Sequence, residues 1–318
     1  MLIIRILLIL LGLFVIFLLG PAVVAAATVF ARREGTDFDT ACRQEQFAPA
    51  ADTLRAARDA LMGLPHETAE IAAPDGVTLR GDYFDRGADR TVLLLHGYRA
   101  GAMLNCGVQA EAFARRGWNV LLVDQRAHGR SGGDHTLLGL RERRDAAAWA
   151  DWAAKRHGVK ALAIYGVSMG AAAVAYASDE LDAGRVRALI IDCGFTSPYE
   201  QMSGDCRRRH LPTPLLMPLI RLMARIFYGE DLAEDTKRHL ARTTIPAFFL
   251  HGTADLTVPY EQGQVNFEAC ASPKAFFTGE GAGHTMCFPA EPDRAEKALF
   301  AFLSPYFSTT PEGEKEPR

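Results

Sequence analysis

The sequence lacks several features that would narrow its chemistry at once. Its six cysteines, Cys42, Cys106, Cys193, Cys206, Cys270 and Cys287, include no C-x-x-C pair and no Cys/His cluster at zinc spacing. That excludes a disulfide scaffold and a structural zinc site, and the expectation is a protein with no metal and no cofactor. Neither sign of charge dominates, with 35 Lys and Arg against 38 Asp and Glu and a net charge of −3. No basic stripe with interleaved aromatics runs through the chain, so no nucleic-acid partner is expected. Internal repeats are also missing, which excludes a solenoid. What remains is 318 residues of ordinary composition, 49% hydrophobic and 23% charged, enough for one large domain with appendages.

One absence is local. Between Ile6 and Phe30 no side chain is ionisable, and these 25 residues at a rise of about 1.5 Å could cross a hydrocarbon core of about 30 Å. Residues 1–31 therefore read as an uncleaved single-pass membrane anchor. A signal peptide cleaved near the small residues "AVVAAA", giving a secreted protein, is the alternative. Arg5 before the run and Arg32 and Arg33 after it give no clear orientation.

After a polar segment at 32–47, read as a linker, "PAADTLRAARDALMGLP" carries helical spacing at Leu54, Ala57 and Leu61. "ETAEIAAPDGVTLRGDYFDR" reads as two antiparallel strands around a turn at Pro74-Asp75-Gly76. From Arg90 the rhythm changes to short apolar strands separated by helices: 91–97, 119–126, 160–166, 186–194, 246–252 and 274–279. Runs without polar alternation are buried on both faces, which predicts a mostly parallel sheet with helices on both sides. The resulting division is a domain over 66–307, a helical cap insertion at 195–244 and a disordered charged tail at 308–318. The insertion includes "PLLMPLIRLMARIFYG", apolar except for Arg221 and Arg225. It reads as a cap packed over a cleft, or as an acyl-binding or membrane-facing helix with snorkelling arginines.

In open α/β sheets ligands bind beyond the carboxyl ends of the strands. At those ends the sequence puts His96-Gly97-Tyr98, Asp124, Ser168, Asp192, Asp255 and His284. Gly166-Val167-Ser168-Met169-Gly170 follows a strand and opens a helix, the context in which G-x-S-x-G lifts a serine into a cleft. Capping the helix is the bland role for that serine, but a cap requires neither glycine. A serine nucleophile needs a base, and His284, in the Gly-rich loop "GEGAGHTMCF", is the best placed of nine histidines. Asp255 in "HGTADLTVP" is the expected acid, with an Asx turn as its structural alternative and Asp192 as the competing acid. His96, Asp124, Arg126 and His128 read as residues that order loops, and His251 as a packing residue.

With these motifs in place, the chain resembles the α/β hydrolases, and within them the serine-aminopeptidase-type branch that includes membrane-anchored bacterial hydrolases. "LLLHGYRAG", "DQRAHGRSGG", "GVSMGA", "HGTADLTVP" and "GAGHTMC" occur in the family's order and span residues 78–303. The resemblance implies an eight-stranded, mostly parallel sheet and a catalytic triad of Ser168, Asp255 and His284. It also implies an oxyanion hole from the backbone N–H groups of Tyr98 and Met169. Ala127 departs from the pattern, where the family usually has glycine. The implied activity is hydrolysis of an ester, thioester or small amide through an acyl-enzyme, on a small-molecule acyl substrate that could be lipid-like. An acyltransferase on the same triad and a catalytically silent binding protein of this fold are the alternatives.

Overall fold

Alternate residues of one strand feed two different cores, which is why the inner strands are apolar over most of their length and keep their polar residues mainly near the ends. Leu93 and Leu95 face one layer of helices, while Val92 and Leu94 face the other. The computed structural model describes residues 2–14, 16, 20–33 and 35–308. Its elements begin with α1 (Leu2–Phe14), α2 (Gly20–Phe30), α3 (Phe38–Cys42) and α4 (Ala51–Met62). A first group of strands and helices follows: β1 (Glu67–Ala72), β2 (Thr78–Phe84), β3 (Arg90–Leu95), α5 (Ala102–Arg115), β4 (Asn119–Asp124) and α6 (Glu142–Ala154). β5 (Ala161–Val167), α7 (Met169–Ala177) and β6 (Val186–Asp192) lead into the insertion, which holds α8 (Pro198–Arg208), α9 (Thr213–Met223) and α10 (Thr236–Leu240). The chain continues through β7 (Ala247–Gly252), α11 (Tyr260–Ala269), β8 (Lys274–Gly279), α12 (Cys287–Ala290) and α13 (Pro292–Phe307).

The eight strands form one sheet in the order β1-β2-β4-β3-β5-β6-β7-β8. β1 pairs antiparallel with β2 and β2 with β4, while every pairing from β4 to β8 is parallel. The β1–β2 hairpin turns where expected, with Gly76 at φ 83° and its N–H donating to the Ala73 carbonyl at 2.8 Å. Helices α4, α5, α12 and α13 cover one face; α6, α7 and α11 cover the other. All six cysteines are unpaired.

A third apolar cluster lies beyond the carboxyl ends of the strands. Met169 and Tyr176 of α7 meet Phe195, Met202 and the inner side of α9 (Leu216, Met217 and Ile220) there. The insertion is thus a roof over the start of α7. A π-helical turn, Ala224–Tyr228, ends α9, with Gly229 at φ 70° closing it.

One expectation for the amino-terminal region changes. The run from Ile6 to Phe30 takes in most of α1, a helix of 13 residues, and all of α2, of 11. Residues 15 and 17–19 within that run lie outside the described residues. No helix among the described residues is long and apolar enough to cross a membrane. The last residue of α2, Phe30, is fully buried in the roof cluster. The expected linker at 32–47 also packs: Ala41, Cys42 and Phe47 are buried in the core beside α4 and α5. Their apolar side chains lack helical period over most of that stretch, so composition alone read them as a linker. The expected tail lies almost wholly outside the described residues, from 309 to 318.

Candidate active site

β5 ends at Val167 and α7 begins at Met169, so the turn between them is a single residue, Ser168. Its backbone sits at φ 54° and ψ −111°, a conformation non-glycine residues hold only where the surroundings enforce it. Both flanking glycines are required by close approach. A Cβ on Gly166 would lie 2.3 Å from the Gly170 carbonyl oxygen, and one on Gly170 would lie 2.1 Å from that of Leu95. The Ser168 N–H donates to the Asp192 carbonyl at 2.8 Å, fixing the turn to the neighbouring strand. The hydroxyl makes no capping bond to α7. It meets His284 instead, with Oγ 2.9 Å from Nε2.

His284 reaches the serine from the loop after β8, and its Nδ1 lies 2.7 Å from Asp255 Oδ2. A proton on Nδ1 therefore donates to the carboxylate and leaves Nε2 free to accept from Ser168. Asp255 Oδ1 accepts from the N–H groups of Thr257 and Val258 at 2.8 and 2.9 Å. The carboxylate makes an Asx turn with one oxygen and meets the imidazole with the other, so the turn leaves one oxygen for the histidine. Burial alone would raise its pKa, but bonds from His251 and His284 outweigh that and hold the carboxyl well below its ordinary range. His251 is fully buried, and its Nε2 donates to the Val258 carbonyl at 2.9 Å, bracing the turn that carries Asp255.

Asp192 ends β6 beside this group but joins a different one. Its Oδ2 accepts from the Tyr165 hydroxyl at 2.7 Å, and its Oδ1 is buried without a hydrogen-bond partner. Burial pushes its pKa up to about 6.

The loop after β3 passes over the serine. A Cβ on Gly97 would lie 2.7 Å from Asn105 Oδ1 and 3.3 Å from Ser168 Cβ, so glycine is what lets the loop that carries Tyr98 pass beside the turn. Two buried histidines tie this loop to the one after β4. His96 Nε2 accepts from the Gln125 N–H at 3.0 Å and its Nδ1–H donates to the Gly97 carbonyl at 2.7 Å. Burial, helped by His128, lowers the His96 pKa to about 3, so the ring stays neutral and able to accept. His128 Nε2 accepts from the Arg99 N–H at 2.9 Å. Asp124 accepts from Arg130, and Arg126 pairs with Asp145 through two bonds of 2.6 Å. Ala127 lies at φ 59°, which explains why glycine suits that position and shows that alanine holds the same left-handed turn. Met169 opens α7, where a backbone N–H has no partner within its own helix.

Sequence reasoning missed one contact to this group. The Gln46 side-chain amide donates to the His284 carbonyl at 2.9 Å and to Thr285 Oγ1 at 3.2 Å, from the segment read as a linker. No sequence signal marks it. Cys193 Sγ lies with Asp255 and His284 in a cluster within 4.8 Å. However, burial raises its thiol well above the ordinary range, and a protonated thiol is a poor metal ligand.

A family profile described as the α/β hydrolase fold matches residues 90–217. The chain is 28% identical over 217 residues to YqkD of Bacillus subtilis (strain 168), an uncharacterised protein, covering 67% of this chain and 70% of that one. Among solved structures, the Pyrococcus furiosus esterase Pf2001 superposes with a TM-score of 0.65 at 24% identity, over 78% of this chain and 93% of that one. Est1E from Butyrivibrio proteoclasticus, solved with ferulic acid bound, gives 0.56 at 17% identity over 75% and 98%.

Proposed function

The chain has the α/β-hydrolase fold, and from that premise we propose that it is a serine hydrolase of that superfamily acting through an acyl-enzyme on Ser168. One observation carries the reading: a serine in a strained strand-to-helix turn, 2.9 Å from an imidazole that is itself 2.7 Å from a buried carboxylate. The Pyrococcus furiosus neighbour, an esterase, agrees with it.

In this mechanism Ser168 Oγ attacks the carbonyl carbon of an ester while His284 Nε2 takes the hydroxyl proton. Asp255 keeps the Nδ1 tautomer and stabilises the imidazolium that forms. The carbonyl oxygen becomes an oxyanion, which the N–H groups of Tyr98 and Met169 would stabilise at the positive end of α7. His284 then gives its proton to the leaving alcohol, and the acyl group stays on Oγ. Water reverses these steps, losing its proton to His284 and releasing the acid and the free serine.

An uncharged, lipid-like acyl group suits the apolar roof above the turn, whose cluster includes Met169, Phe195, Leu216 and Met217. The same reading associates the chain with a membrane through residues 1–31. The side chains of Leu2, Ile3, Ile4, Leu7 and Leu8 are exposed, and α9 and its π turn add exposed Leu215, Leu222, Ile226 and Phe227 beside α2. Large apolar patches of this kind suit a lipid surface.

The test is steady-state hydrolysis of p-nitrophenyl esters of increasing acyl length by the full chain and by Ser168→Ala. The reading expects activity that rises with acyl length and is lost in the variant, and comparable rates in both proteins would refute it.

A further inference from the structure

The end of the apolar run and the two residues after it have contacts that an anchor does not need. Tyr98 donates its hydroxyl to the Val29 carbonyl at 2.6 Å, and the Arg99 guanidinium donates to the Thr28 carbonyl. That guanidinium also lies 4.7 Å from the centre of the Tyr98 ring. Two residues on, Phe30 is buried edge-on against Tyr228, their ring centres 5.6 Å apart. The Phe30 carbonyl accepts from the Thr136 N–H at 2.8 Å, and the Arg32 N–H donates to the Asp134 carbonyl at 2.7 Å. The Arg32 side chain then donates to the carbonyls of Ser131 and Gly129, the latter at 2.7 Å.

Residues 28–32 thus bridge the loop after β3 to the loop after β4. These are the same two loops that His96 and His128 join from below. Arg99, next to Tyr98, sits at φ 54°, so the loop holds a conformation that depends on what surrounds it. Its own sequence offers no glycine at that position to relax the strain.

We propose that residues 28–32 form a strap that positions the Tyr98 backbone N–H over Ser168, making the end of the apolar segment a positioning element of the oxyanion site. This rests on the serine-hydrolase reading and adds a role to a segment otherwise understood only as a membrane attachment. The strap touches no reacting atom. It acts by fixing a donor whose value depends on its placement, since displacing a donor from the developing oxyanion weakens transition-state binding and leaves substrate binding nearly unchanged.

The test uses the full chain in detergent, with Tyr98→Phe, which keeps the ring and removes the bond to Val29, and Arg32→Ala, which frees the far end of the strap. Complete loss of an oxyanion donor costs about 10²–10³ in kcat, so a misplaced one is expected to cost about tenfold. Both variants should lower kcat by about that factor with KM within twofold, and should weaken binding of a trifluoromethyl ketone by the same factor. Arg32→Lys should recover part of the loss. The proposal is overturned by wild-type kcat and ketone affinity in both variants, or by losses that follow only a lower melting temperature. If the wild-type chain binds no ketone and Ser168→Ala hydrolyses esters as well as wild type, the serine-hydrolase reading has failed and the strap proposal falls with it. Wild-type ketone binding with unchanged variants rejects the strap alone.

Discussion

The loops after β6 and β7 leave neighbouring strands at the same edge of the sheet, and each buries an aspartate: Asp192 at the last position of its strand, and Asp255 three residues past the end of its own. Their surroundings differ in the number of donors. Asp255 accepts from two backbone N–H groups and His284, with His251 close by at 3.3 Å. Asp192 accepts from one tyrosine hydroxyl and leaves an oxygen without a partner. One site therefore holds its charge and the other keeps a proton up to about pH 6, although both aspartates are buried. Three extra residues give the β7 loop room to fold an Asx turn back on the carboxylate, and that turn supplies the additional donors.

The comparison breaks most sharply at Asp255. In Asp255→Asn the amide oxygen still accepts from Thr257 and Val258, so the fold should persist with little change in melting temperature. The amide nitrogen, however, faces His284 Nδ1 and favours the tautomer with its proton on Nε2, which cannot accept from Ser168. kcat should fall about 10⁴-fold, the magnitude known for the same change in a serine protease. Steady-state kinetics beside a thermal melt checks both halves.

Asp192→Asn should do the opposite. Burial lets the native carboxyl keep its proton up to about pH 6, above the 3.8 of an ordinary aspartate. The folded state therefore binds more protons than the unfolded one between these values. This contribution is fully present below pH 3.8 and lost as pH rises through 6, a difference of up to about 3 kcal/mol. The asparagine variant should show a flatter dependence of melting temperature on pH across that window. At pH 7 it should be as stable as the wild type or more so, with kcat within about threefold. A large loss of kcat in a well-folded Asp192→Asn would transfer the acid role to residue 192.

The smallest contrast is between the glycines of the two loops. A Cβ on Gly252 would lie 2.2 Å from the Ala282 carbonyl oxygen, two residues before His284, whereas one on Gly194 would lie 3.1 Å from Ala171 Cβ and Ile191 Cγ2. Gly252→Ala should cost about 1–3 kcal/mol and reduce kcat, and Gly194→Ala should cost less than about 1 kcal/mol with kcat unchanged. Chemical denaturation of the two variants gives the comparison directly.

The same contrast between local and distant partners explains what could be read from the sequence. The strands were legible because each is a short apolar run bounded by turn residues, and strand order then placed Ser168, Asp255 and His284 at one edge. The glycines around Ser168 were legible as a motif, and the backbone collisions at Leu95 and Gly170 are their physical cause. The segment 32–47 was not legible, since Phe47 and Cys42 are buried by α4 and α5 and not by any pattern of their own. Nor was the burial of Phe30 under the roof, because nothing in an unbroken apolar run marks which residue packs against the domain. Contacts such as Gln46 to His284 or Tyr98 to Val29 join residues far apart in sequence, and single-residue polarity says nothing about them.

The central claim is that Ser168 Oγ becomes acylated. Acid quenching of the full chain during turnover of a slowly hydrolysed p-nitrophenyl ester, followed by peptide mass analysis, reads this directly. The account predicts one acyl group on the peptide containing Ser168, accumulating further in Asp255→Asn if deacylation slows most and absent in Ser168→Ala. An ester turned over with no adduct on that peptide, or an adduct that persists in Ser168→Ala, would contradict it.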